Sequence, residues 1–299
     1  MRTESVQEAR LDVSGTVDLI DAEAVMAEVR RIMVSAWPHG DWAGLTPLTE
    51  LFCTLYSGEH PDYRGCEVGY HDADHVLAVT LAMARLLAGC ERRWGPSISP
   101  GPQRALAGIA AALLHDSGYL RRRTDRRRQT GAAYTRTHVK RGAALARDQL
   151  PALGLGELAP LSARLIHFTN CARDPATVRV AGPLERALGG MLGTADLIAQ
   201  ISATDYLDKC RYQLYDEFEA SGFAGKSGST YITGPTYLSR DDLMERTPAF
   251  IHQVAGARIE RDFHGAYHYA SIFFGGPNPY LDGIAANCAL LEAALDNAR

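Results

Sequence analysis

Ten histidines are spread over 299 residues, and several stand beside aspartates in apolar surroundings. The stretch "YHDADH" at 70–75 sets His71 and His75 four apart, which places two side chains on one side of a helix about one turn apart. Asp72 and Asp74 stand where acidic helix caps are favoured. The segment "ALAGIAAALLHDSGY" at 105–119 ends a strongly apolar pattern on adjacent His115 and Asp116. An ionised carboxylate removed from water is costly unless it is paired or bound to a metal. Further on, "THVKRGAALA" opens a helical pattern on His138 and "ARLIHFTN" closes one on His167. "MLGTADLIAQI" places Asp196 inside an apolar segment, between Leu192 and Ala199. Each residue alone has an ordinary explanation as core or surface. Five helical segments that each bring His or Asp onto or beside an apolar face point together to a site. Neutral imidazole with carboxylate suits Zn, Fe, Mn and similar divalent ions.

The elements that must hold these residues are helical. Val76, Val79, Met83, Leu86 and Leu87 follow the i, i+3, i+4 rule. So do Leu106, Ile109, Ala110 and Leu113, and then Leu184, Leu188, Met191, Leu192 and Ala195. Glycine and proline clusters mark breaks at 94–102, 181–183 and 273–279. Alternating strand patterns are scarce, and "STYIT" at 229–233 is the best short candidate. The Gly/Ser-rich stretch 221–236 reads as a long loop before the last helices. The expectation is an all-α helical bundle, one domain over 1–299, with flanking helices over 1–69 and 211–299. Phe263, Tyr267 and Tyr269 in the last part read as core residues or as pocket lining.

Composition narrows the function classes. Hydrophobic residues make up 46% and charged residues 22%, ordinary for a globular chain with a sizeable core. A net charge of −4 gives no global sign of a nucleic-acid binder. No uncharged apolar run of membrane-spanning length is present, and the first fifteen residues lack a signal-peptide core. The six cysteines form no CxxC pair and read as reduced, mostly buried thiols. A cytoplasmic protein without a membrane partner is the expectation. "ASGFAGKS" at 220–227 ends like a phosphate-binding loop, but Ala220 replaces its first glycine and the preceding "YQLYDEFE" reads as helix where a strand is needed.

The order His75, His115-Asp116, Asp196 resembles the HD-domain superfamily of metal-dependent phosphohydrolases. "YH" at 70–71 followed by His75 is similar to the YHNxxH signature of its cyclic-nucleotide phosphodiesterase branch. The match covers roughly residues 70–210. The resemblance implies a helical bundle holding one or two divalent ions, Zn, Mn, Mg or Fe, at its middle. It implies His75, His115, Asp116 and Asp196 around the first ion, and Asp116 bridging to a second held by His138 and His167. It also implies His71 as the general acid for the leaving oxygen. The sequence departs from the phosphodiesterase branch at Asp72, where that branch has Asn, and at Tyr119, near where it has a further histidine. It also has the pair His138 and His167, which that branch lacks and which resembles the extra ligands of binuclear HD proteins. These departures favour two metals and weigh against cyclic nucleotides.

Six arginines fall within 121–128, and arginine forks match phosphate oxygens bidentately. Arg121, Arg122, Arg123 and Lys140 are therefore candidate phosphate contacts, with Arg141, Lys209 and Arg211 near ligand segments. The expected partner is a small phosphorylated molecule, a nucleotide or another phosphate ester. Nucleic acid fits less well because aromatic interleaving is absent from the run. A homodimer is compatible with the sequence and not specified by it. Two other readings keep the helices. A di-iron oxygenase would use the same six ligands on a polar or phosphonate substrate, and a scaffold protein would carry a degenerate site.

Overall fold

The structure is a computed structural model, and it describes residues 11–95, 99–225 and 237–297. In chain order the helices are α1 (Ala22–Ala36), α2 (Leu45–Ser57), α3 (Ala73–Trp94), α4 (Gly101–Leu114), α5 (His138–Ala152), α6 (Ala159–Leu165) and α7 (Pro183–Ile201). A short α8 (Tyr206–Asp208) runs through a π-helical stretch, Lys209–Leu214, into α9 (Tyr215–Ser221). After 226–236 come α10 (Arg240–Ala249), two π-helical stretches over Phe250–Gly256 and Arg258–Asp262, α11 (His268–Phe274) and α12 (Pro279–Asn297). No strand occurs among the described residues, only isolated bridges such as Tyr63 with Arg122. The chain is all-α, as its periodicity predicts. The "STYIT" strand candidate and most of the 221–236 loop lie outside the described residues, while Ser221 ends α9 and Gly222 caps it at φ 80°.

α3 is the centre of the packing. α1, α4, α7 and α11 all lie against it. Almost every residue from His75 to Cys90 is buried, so the stripe read from Val76, Val79 and Met83 widens to the whole surface of the helix. Among the described residues α3 is the one helix long and apolar enough to cross a membrane, yet 83% of that window is buried inside the protein. The buried cation at its middle is paired through both terminal nitrogens. Arg85 donates to Asp12 at 2.5 Å and to the Tyr280 hydroxyl at 2.9 Å, with its guanidinium carbon 5.1 Å from the Phe274 ring centre. That contact ties the segment before α1 and the start of α12 to the central helix. A buried ion loses its favourable hydration, so this pair holds only because every partner is in place.

Three smaller expectations need adjusting. Phe263 is core, packed on Phe168 with ring centres 6.5 Å apart, and lines neither large cavity. Tyr267 and Tyr269 pack beside the core and also line neither. The cysteines are all unpaired, but only Cys90 and Cys210 are buried, and Cys171 is exposed.

Candidate metal centre and catalytic pocket

α3 begins at Ala73, with Asp72 as its N-cap accepting the His75 N–H at 2.9 Å. This fixes His75 on the first turn, pointing into the bundle and 6% exposed. α4 is a run of small and aliphatic residues that buries itself on all sides and stops at Leu114, leaving His115 and Asp116 at its buried end. The His115 Nδ1–H donates to the Ala112 carbonyl at 2.7 Å, so its Nε2 carries the lone pair. Asp196 comes from α7, turned by Gln200, whose Nε2 donates to its backbone oxygen at 2.9 Å and its Oδ1 at 3.2 Å. Gln200 in turn accepts the Tyr70 hydroxyl at 2.8 Å.

These helix ends bring four side chains together. Asp116 Oδ2 lies 3.4 Å from His75 Nε2 and 3.2 Å from His115 Nε2. Asp196 Oδ1 lies 3.3 Å from His75 Nε2 and 3.8 Å from His115 Nε2. His75, His115 and Asp116 offer donor atoms within 4.8 Å of one another, all buried. Each of those three atoms is without a hydrogen bond. A single buried orphan costs roughly 1–3 kcal/mol, so three aimed at one point are explained by a cation that all of them would ligate. The electrostatics agree. Burial alone would push His75 down, but the close approach of the Asp116 and Asp196 carboxylates outweighs it and raises the group to about 10. His115 is raised in the same way against its burial, mainly by Asp116. The carboxylates thus create a field that demands positive charge, and a divalent ion meets that demand at neutral pH.

His138 stands next to this cluster. The turn Ser117–Tyr119 after Asp116 passes so close to α5 that a methyl on Gly118 would lie 1.8 Å from the His138 carbonyl oxygen. Gly118 therefore permits the approach that sets His138, the first residue of α5, over Asp116. The His138 Nδ1–H donates to the Thr135 carbonyl at 2.7 Å, and Nε2 faces Asp116 Oδ1 at 3.7 Å. Tyr119 stacks on His138 and on His71, with ring centres 4.4 and 4.7 Å apart.

His71 reaches the site by a different route from the one its spacing predicts. It precedes the cap of α3, so it does not share a helix with His75. Its partner Glu217, on α9, positions it. Glu217 is buried and accepts the His71 Nδ1–H at 2.7 Å, and it accepts the backbone N–H groups of Tyr70 at 2.6 Å and of His71 at 3.2 Å. Burial opposes charge on His71, but Glu217 and then Asp116 overcome it and raise the imidazole above its usual range. Glu217 is correspondingly lowered against its own burial, first by His71. Sequence reasoning missed Glu217, because "YDEFE" reads as an ordinary acidic helix face with nothing to distinguish its middle carboxylate. The π-helical stretch before it is the structural mark of its setting.

Several expected residues are not gathered here. His167 lies on the short 3-10 turn after α6, where the charges acting on it are Arg173, Arg147 and Lys140, and it lines neither large cavity. Leu165, Ile166 and Phe168 take the inward positions at that helix end. Two arginines of the run are bonded elsewhere. Arg121 grips Glu67 through Nε at 2.5 Å and Nη2 at 2.7 Å, and donates to the Arg128 carbonyl. Arg122 is exposed near Asp148, Arg123 donates to the His60 and Gly58 carbonyls, and Lys140 is exposed. Arg141 is fixed to the carbonyls of Gly118 and Leu120, Lys209 lies 3.6 Å from both Asp72 and Asp205, and Arg211 pairs with Asp241 at 2.8 Å. We expect Arg121→Ala to lower stability by about 1–2 kcal/mol, through loss of a two-pronged charged contact, and to leave KM unchanged. Thermal unfolding and steady-state kinetics on one preparation check both halves, and a KM rise without loss of stability would return Arg121 to the substrate.

A cavity of about 450 Å³ opens from the cluster. His71, Asp116, His138 and Asp196 line its inner end, and the arginine that reaches it is Arg136. Its far wall is Leu214, Phe218, Phe223, Tyr237, Leu243 and Phe250.

Fold and centre together describe an all-helical bundle with a buried His/His/Asp group that can hold a metal ion. No family model matches the chain, and no curated protein matches it. Among solved structures it is similar to the phosphodiesterase domain of the RhoPDE fusion protein from the choanoflagellate Salpingoeca rosetta. The TM-score is 0.58 at 16% identity, over 99% of this chain and 98% of that one. At that identity the likeness concerns the fold, and it extends through the helices outside 70–210 as well as those within.

Proposed function

We propose that this chain is a metal-dependent phosphohydrolase that cleaves a small phosphate ester. The observation that carries this reading is the convergence of three buried, unbonded donor atoms beside an imidazole held at Nδ1 by a buried carboxylate. The likeness to a phosphodiesterase domain in fold supports it.

His75, His115, Asp116 and Asp196 would hold the first ion. His138, facing the second oxygen of Asp116, would help hold a second. A divalent ion held there would supply a water of lowered pKa and would screen charge that builds on the phosphoryl oxygens. The chain's own residues do the rest. As the water gives up a proton to solvent and its oxygen bonds to phosphorus, the phosphorus–oxygen bond to the leaving group breaks. His71 gives its Nε2 proton to that departing oxygen, while Glu217 holds Nδ1 and balances the imidazolium. His71 then takes a proton back from solvent, and the products are phosphate or its monoester and the free alcohol. Tyr119 fixes the planes of His71 and His138 by stacking on both. A di-iron oxygenase would draw on six ligands, and with His167 set apart that reading loses the set that motivated it.

The test is metal stripping followed by reconstitution with Mn, Zn, Mg or Fe(II), under air and under nitrogen. The expected result is metal-dependent release of p-nitrophenolate from p-nitrophenyl phosphate esters, equal in both atmospheres. Turnover that needs oxygen, or a protein that takes up no metal, would overturn the reading.

A further inference from the structure

The pocket's far wall carries information about the part of the substrate that is not phosphate. Phe218 and Tyr237 lie face to face, with ring centres 5.5 Å apart and planes 6° apart, and Phe223 packs on Phe218 at 5.9 Å. The Arg136 guanidinium covers the Phe223 ring at 4.5 Å, so its flat face is already occupied. Leu214, Leu243 and Phe250 complete this end.

Several polar groups along the cavity are already bonded within the protein. Of its two carboxamides, Gln200 is held by Tyr70 and Asp196 at both ends. Asn170 sits on the rim beside Thr169 and Cys171, its Oδ1 accepting the Ala172 N–H at 3.0 Å. The carboxylates lining the cavity are Asp116 and Asp196, both in the metal cluster. At the aromatic end the Thr247 hydroxyl donates to the Leu243 carbonyl at 2.8 Å. Reading a nucleobase edge takes a paired donor and acceptor on one side chain, the role of Asn, Gln or an unstacked Arg. Among the described residues, that end of the pocket offers stacking and apolar surface without such a pair.

On the reading that the centre hydrolyses phosphate esters, we infer that its substrate carries a flat aromatic or otherwise apolar arm, held by stacking and shape, and not a nucleobase read by hydrogen bonds. Phe223 is the specificity-determining residue, lining the pocket with Arg136 over one face of its ring. Stacking on an aromatic side chain is worth roughly 10- to 100-fold in affinity. The hydrolysis is the one balanced above, with the arm leaving as its alcohol or remaining on the product phosphate.

The experiment uses the metal-loaded full chain and three phosphodiesters that share a p-nitrophenyl leaving group. Their second arms are methyl, naphthylmethyl and a 5′-nucleoside. We expect kcat/KM for the naphthylmethyl ester to exceed both others by roughly 10- to 100-fold. Phe223→Ala should collapse that ratio towards one, and Phe223→Tyr should restore it. A nucleoside arm that outperforms the naphthylmethyl arm, or a ratio indifferent to Phe223, overturns the inference. Binding of naphthylmethylphosphonate and methylphosphonate to the same metal-loaded protein reads the pocket without turnover. Tighter binding of the naphthyl compound, lost in Phe223→Ala, supports the inference even if no ester is cleaved, and equal affinities overturn it. Absence of cleavage for all three esters with metal bound would instead count against the hydrolase itself.

Discussion

Asp116→Ala is expected to leave a folded protein that no longer retains its metal, with turnover lowered by at least roughly 10³-fold, the upper size found when one preorganised electrostatic group is removed. Asp116 is the donor common to the whole centre. One oxygen lies within 3.4 Å of both His75 and His115 Nε2, and the other faces His138 Nε2. Burial opposes its charge, yet His115 and then His71 hold its carboxyl well below the usual range, so it is ionised and ready to ligate. Removing it leaves two imidazoles facing Asp196 across a gap. Metal content by mass spectrometry, with circular dichroism to verify folding, is the measurement. Wild-type stoichiometry in the variant would sink the assignment of this centre. Asp116→Asn keeps the shape and removes the charge, and it should fail in the same way.

His71→Ala should keep the metal and slow turnover by roughly 10²–10⁴-fold, the range of a lost general acid. The loss should shrink for esters whose leaving group needs no proton, and an equal loss for all leaving groups would reduce His71 to a binding contact. Glu217→Gln offers a finer test, because the amide can still accept the backbone N–H groups while losing its charge. Glu217 favours the imidazolium and so raises His71. Without that charge His71 titrates lower, and the alkaline fall in kcat should move to lower pH. A profile that keeps its alkaline limb in Glu217→Gln would separate the two residues functionally.

What the sequence shows and what it hides divide along a physical line. His75, His115, Asp116 and Asp196 were legible because each sits on a helix whose apolar period fixes the inward direction, and their donors do meet. His138 was legible as the first residue of a helix, though what sets it over Asp116 is the tight passage at Gly118, visible only in three dimensions. His167 is not among the donors that meet there: an apolar helix end does not say which of its last residues turns inward, and the chain tightens to a 3-10 turn. The partners of the arginines were not legible, because a run of charge reports composition and not direction. The nearby carbonyls of Gly58, His60, Gly118 and Leu120, and the carboxylate of Glu67, take up Arg121, Arg123 and Arg141. Glu217 and Arg136 depend on contacts between segments far apart in the chain, which no local pattern encodes.

The centre draws on the start of α3, the end of α4, the middle of α7 and, through Glu217, α9, while the buried Arg85 clamp joins the segment before α1 to the start of α12. No short stretch of the chain holds more than two of these groups, so a nascent or unfolded polypeptide presents no pocket of donors to compete for metal. The coordination sphere comes into being only after these distant segments have docked, and loop closure over such separations is slow. On the proposed reading, metal capture would therefore be the last event of maturation, unlike a zinc finger, whose ion organises the fold. A cell that starves the protein of its ion would accumulate a compact, inactive form that can be rescued by later supply.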